Sequence, residues 1–163
     1  MNGGIVTMRM GAREYKSEEI LITGGEEGFA LTSDGELLSL PSGCHRLTAG
    51  DRAIVLRRAA ACECVAGAGE ASGPHGWFGF RCELICARRF VSRFRENLLE
   101  GVAAEDLLTR MARQCLAEAL VCDGQSRVWT SCRRRLERAL LDNGWRLTGF
   151  RPGRLDRGEE VSA

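Results

Sequence analysis

EEILITGGEEGFALTSDGELLSLPSGCHRLTAGD, residues 18–51, reads as short strands joined by turns. Ile20-Leu21-Ile22, the run 28–32 and the run 36–40 are apolar and of strand length, and each is followed by Gly, Asp or Pro that interrupts pairing. Ser33-Asp34-Gly35 predicts a hairpin turn between the second and third runs, because glycine takes positive φ without steric cost and aspartate tolerates it. Working outward, Pro41-Ser42-Gly43 predicts a turn, Arg52–Arg57 a further strand, and Ile5-Val6-Thr7-Met8 an edge strand ahead of the hairpin.

Residues 58–75, RAAACECVAGAGEASGPH, are small and glycine-rich and read as a loop. In 77–86, WFGFRCELIC, strict alternation predicts a strand with Phe78, Phe80, Cys82, Leu84 and Cys86 on the core face and Gly79, Arg81 and Glu83 on the wet one. The period then changes to that of helices. Phe90, Val91, Phe94 and Leu98 predict a helix over 88–99 that ends at Gly101. Leu107, Leu108, Met111, Cys115, Ala119 and Cys122 form the inward stripe of a second helix over 103–122, with Glu105 and Asp106 in its first turn. A third helix over 125–143 buries Trp129, Cys132, Leu136 and Leu140, turns Arg133, Arg134 and Arg138 to solvent, and meets Gly144 as its C-terminal cap. Residues 145–150 read as a last strand and 151–163 as a polar, frayed end. The expected fold class is α+β: a mostly antiparallel sheet of short strands in the N-terminal half, about three helices packed on it and a final C-terminal strand. Residues 1–155 are expected to form one domain, with 156–163 as a disordered tail.

The 163 residues suffice for a single self-sufficient core. With 23 basic against 22 acidic residues, the net charge of +1 gives no electrostatic reason for a nucleic-acid partner. Eight cysteines would fit a disulfide framework in a small secreted domain, but the N-terminus lacks the basic start, apolar core and cleavage site of an export signal. The thiols are therefore expected to be reduced and the protein cytoplasmic, with membrane contact at most peripheral. No apolar run approaches the roughly 20 residues that cross a bilayer.

Three segments carry a family resemblance: GGIVTMR near the start, SEEILITGGEEGFALTSDGELLSLPSGCHRLT, and RRRLERALLDNGWRLTGFRPGRL. Together with the element order they resemble the SPFH domain (band 7, stomatin/prohibitin), most closely its bacterial virion core protein-like branch. Ile20-Leu21-Ile22, Glu26-Glu27-Gly28-Phe29-Ala30, Asp34-Gly35, the Pro41 to Leu47 element and Leu140-Leu141-Asp142-Asn143-Gly144 stand at the corresponding motif positions. Cys44-His45 replaces the usual arginine-tyrosine pair, the middle of the domain is short and glycine-rich, and Ala87-Arg88-Arg89 replaces an aspartate-proline step. The resemblance implies a non-enzymatic scaffold or protein-interaction domain that pairs with itself or docks another protein. Family members commonly add an N-terminal membrane element or a long helical or zinc-ribbon tail, neither of which is read in these residues.

Chemistry is sparse beside this. Cys62 and Cys64, with His75, Cys44 and His45, are the candidates for a thiolate and imidazole metal site, and Cys62 and Cys64 read as the exposed, redox-responsive pair of an alternative function. The spacing disfavours a metal: there is no Cys-x-x-Cys, and Cys82 and Cys86 on one strand would lie about 13 Å apart, at ~3.3 Å per residue. The remaining cysteines read as small core residues. Gly67 to Gly73 has the wrong spacing for a dinucleotide turn, and Pro74 follows where a helix would have to start. The two histidines, one in each of two turn-like segments, give no nucleophile-and-base pair, and no catalytic residue, cofactor or resident metal is expected.

Overall fold

The computed structural model describes residues 19–67 and 75–156. The chain runs β1 (Glu19–Ile22), β2 (Glu26–Leu31), β3 (Leu37–Leu40), β4 (Gly43–Arg46), β5 (Arg52–Arg57), β6 (Ala59–Gly67), β7 (His75–Leu84), α1 (Ala87–Leu99), α2 (Ala104–Cys122), α3 (Gly124–Asp142) and β8 (Trp145–Asp156). This is the α+β order expected, with every pairing antiparallel. The strands are shared among three small sheets ordered β1-β4, β3-β2-β5 and β6-β7-β8.

The predicted hairpin forms where its turn residues place it. β2 and β3 pair from Gly28 opposite Leu40 to Leu31 opposite Leu37, with Gly35 at φ 85°. β2 also pairs with β5, so it is the centre of its sheet and buries Phe29 and Ala30. In β7, Phe78, Phe80, Cys82 and Leu84 are buried as their alternation requires, while Arg81 and Glu83 face water.

The helices bury the stripes that their spacing announces. Leu107, Leu108, Cys115 and Ala119 of α2 and Cys132, Leu136 and Leu140 of α3 face inward. α2 packs on β6 and α3 on β8. The end of α3 is fixed by Gly144 at φ 84°: a Cβ there would run into the Cys86 carbonyl, and the Gly144 carbonyl accepts from both Ile85 N–H and Cys86 N–H. That joint sets α1 against the start of β8, where Trp145 is fully buried with its ring edge-on to Phe90. One apolar core joins β2, β5, β6, β7, β8 and all three helices, and a small satellite of Ala30, Leu47 and Ala53 lies beside it.

Four expectations need correction. Residues 59–67 are a nine-residue strand rather than loop, paired with β7 from Ala59 opposite Glu83 to Gly67 opposite His75. Ala60, Cys62 and Cys64 face the core while Ala59, Ala61, Glu63 and Val65 face water, and with mostly small side chains on both faces the period is hard to see. β8 continues to Asp156 because Arg151 and Pro152 still pair with β7, so 151–156 is not frayed. β7 ends at Leu84, which takes Cys86 off the strand face and makes it the residue preceding α1. Cys122, at the last position of α2, is exposed rather than inward. The expected strand at residues 5–8 and the tail from 157 lie outside the described residues.

Candidate functional site

The cysteines singled out by spacing do not gather into a site. Cys62 and Cys64 are core residues, 5 % and 3 % exposed, opposite Phe80 and Phe78 of β7, which overturns their reading as exposed thiols. Loss of hydration on burial pushes the Cys62 thiol up to about 11 and the Cys64 thiol up to about 12. Burial likewise raises Cys115 to about 11 and Cys132 to about 12, and moves Cys82 upward. Thiols so disfavoured as thiolates are weak nucleophiles and weak metal ligands.

Cys44 and His45 sit on β4, in the separate β1-β4 pair. Cys44 is exposed opposite Leu21, and His45 Nε2 lies 2.6 Å from the Pro41 carbonyl, to which it donates. His75 begins β7 with Nε2 3.3 Å from Asp156 Oδ2. Among the described residues, no group of three or more His, Cys, Asp or Glu could hold a metal ion. Trp129 is only partly buried and packs against Phe78 and Phe150, while Trp77 lies under the Arg151 guanidinium, 5.3 Å from the ring centroid.

Two features that residue types alone did not reveal stand out. The first is an edge. β6 pairs with β7 along all nine residues without a register shift, contains no proline, and has no strand on its other side among the described residues. Its outward face carries Ala59, Ala61, Glu63 and Val65, the last 52 % exposed. Glu63 Oε1 accepts from Arg151 Nη2 at 2.9 Å, so the one charge on β6 is engaged across the sheet.

The second is a cleft of about 720 Å³ among the three helices. It is lined by Arg93 and Phe94 of α1, Met111, Cys115 and Glu118 of α2, and Arg134, Arg135 and Arg138 of α3, with Asn143 at the α3 terminus. α1 leaves helical geometry at Phe94 (φ −109°, ψ 18°), on this wall. Asn143 is 5 % exposed: its Nδ2 donates to the Ala139 carbonyl at 2.7 Å and to Met111 Sδ at 3.4 Å, and its Oδ1 is buried without a partner. Arg134 and Arg138, one turn apart on α3, were visible in the sequence as a helix face; Arg93 joins them only through packing. No helix of the described residues is long and apolar enough to cross a membrane. Compared with known proteins, the chain matches no family model and no curated protein.

Proposed function

We propose that this chain is a non-enzymatic scaffold domain of the SPFH (band 7) type that self-associates, with the free edge of β6 as its contact. The edge is the observation that carries the reading: nine regular residues, no proline, and Val65 exposed beside them. An unpaired strand edge presents a row of N–H and C=O groups that a second strand can satisfy. A second copy related by a two-fold axis offers the same edge in antiparallel orientation, so one surface serves both partners. The family reading is supported by the order of strands, helices and final strand together with the motif residues quoted above, a warrant of fold-level likeness. The thiol alternative loses the feature that motivated it, since Cys62 and Cys64 are buried.

Light scattering behind size-exclusion chromatography, over a wide concentration range and with and without reductant, tests the proposal. A discrete oligomer indifferent to reductant is expected, because the thiols on β6 are buried. Val65→Lys sets a charge beside the edge and should shift the population to monomer with an unchanged circular dichroism spectrum. A monomer at every concentration, or an oligomer unaffected by Val65→Lys, overturns the edge contact.

A further inference from the structure

The side chains beside the open edge of β6 select one way for two copies to pair. Leu84 N–H donates to the Arg58 carbonyl, and in the unshifted register that follows, Ala60, Cys62 and Cys64 turn their N–H and C=O groups toward β7. Ala59, Ala61, Glu63 and Val65 therefore point theirs at the open side, and the same four residues carry side chains on the wet face. Two antiparallel copies exchange hydrogen bonds across this edge only by setting these residues opposite one another, so the two-fold axis passes beside a single residue of β6. Axes at Cys62, Glu63 or Cys64 keep 59–65, 59–67 or 61–67 paired, and any other axis pairs a shorter stretch of the strand.

Charge separates the three. The axis at Glu63 sets that carboxylate opposite its own copy, and like charges directly opposite are destabilising. The axis at Cys64 sets Glu63 opposite Val65. The axis at Cys62 sets Glu63 opposite Ala61 and covers Val65, 52 % exposed, with Ala59. Behind Ala61 in the same row stands Arg81 of β7, which makes no ion pair among the described residues and whose stem lies against Gly149. The reach needed is one the sheet already uses: Glu63 and Arg151 meet at 2.9 Å across Gly79, which stands between them in their row.

We infer that two copies pair β6 to β6 about an axis at Cys62, with Glu63 of each copy held between Arg151 of its own sheet and Arg81 of the other copy, reaching over Ala61. The inference rests on the self-association proposed above and adds the register to it.

Disulfide trapping of the full chain reads that register. In a Cys44→Ser/Cys122→Ser background, which removes the exposed thiols, copies carrying Ala59→Cys are mixed with copies carrying Val65→Cys and oxidised with diamide. Opposed residues of a hydrogen-bonded pair have Cα atoms about 5.5 Å apart, within disulfide reach. A linked dimer is expected from the mixture and from neither variant alone. Ala61→Cys mixed with Val65→Cys reports the Glu63 axis and should stay unlinked. All three positions are exposed, so the substitutions leave the core intact. In light scattering, Arg81→Glu should weaken the dimer about tenfold, since two ion pairs at the seam turn repulsive, while Arg95→Glu on α1 should not. A monomer at every concentration removes the self-association reading and the register with it. A dimer that links through 61 and 65, fails to link through 59 and 65, or is indifferent to Arg81→Glu overturns the register alone.

Discussion

β6 and β8 pair with opposite sides of β7 and differ in what they bury and what they leave open. β6 offers the helices Ala60, Cys62 and Cys64, small groups that leave the space under α2 to Leu107, Leu108 and Cys115. β8 offers Trp145, Leu147 and Phe150, larger groups, with Trp145 against Phe90 of α1 and Phe150 against Trp129 of α3. The edges differ too. The β7–β8 pairing is irregular between Gly76 and Phe78 and again between Arg81 and Cys82, and β8 contains Pro152 among arginines at 146, 151 and 154. Bulges, proline and charge blunt an edge against stray pairing, and β6 has neither bulge nor proline. Among the described residues, one flank of the sheet is guarded and the other is left available.

The largest expected effect follows from the five buried thiols, two of them on β6 and none on β8. Their folded pKa values lie above the unfolded value of about 8.5, so the unfolded chain loses protons first as pH rises. Their contribution is fully present below pH ~8.5 and is lost as pH rises toward 11 to 12. Urea unfolding as a function of pH should show this alkaline fall, flattened by Cys64→Ala. A slope unchanged in Cys64→Ala would remove the β6 thiols as its cause.

Next in size is the contrast between the two buried faces. Trp145→Ala should cost about 3–5 kcal/mol, the usual range for deleting a buried aromatic, against roughly 1 kcal/mol for Cys64→Ala at neutral pH. Trp145→Phe should cost less than Trp145→Ala, because it keeps a ring against Phe90 and removes the indole N–H, which is buried without a partner. Comparable losses for Trp145→Ala and Cys64→Ala would mean that both faces are packed alike. The smallest effect belongs to the wet face, where Glu63 and Arg151 join β6 to β8 across Gly79. Both side chains are largely exposed, so Glu63→Ala should cost less than about 1 kcal/mol and the loss should shrink further in salt. A larger loss would mean that this pair ties the two flanks together.

The features legible from residues were those with strong contrast. Ser33-Asp34-Gly35 located the hairpin, the Phe78-Phe80-Cys82-Leu84 alternation located β7, and the stripes of α1, α2 and α3 with Gly101 and Gly144 located the helices and their ends. Where contrast is weak, a strand and a loop look alike. Ala60, Cys62 and Cys64 alternate with Ala59, Ala61 and Glu63, a period-two pattern whose faces differ too little in hydrophobicity to outweigh the glycines that follow. The polar run from Arg151 suggests a frayed end, where the strand in fact continues to Asp156.

Residue pattern alone announces the α+β class, the three helices and most of the core, because turn chemistry and apolar period act over a few residues and need no partner to be read. Packing settles which strand edge stays open among the described residues, which thiols lose water, and which arginines share a wall. Those properties belong to groups far apart in the chain: Cys62 is buried between β7 and α2, and Arg93 of α1 lines the same cleft as Arg134 and Arg138 of α3.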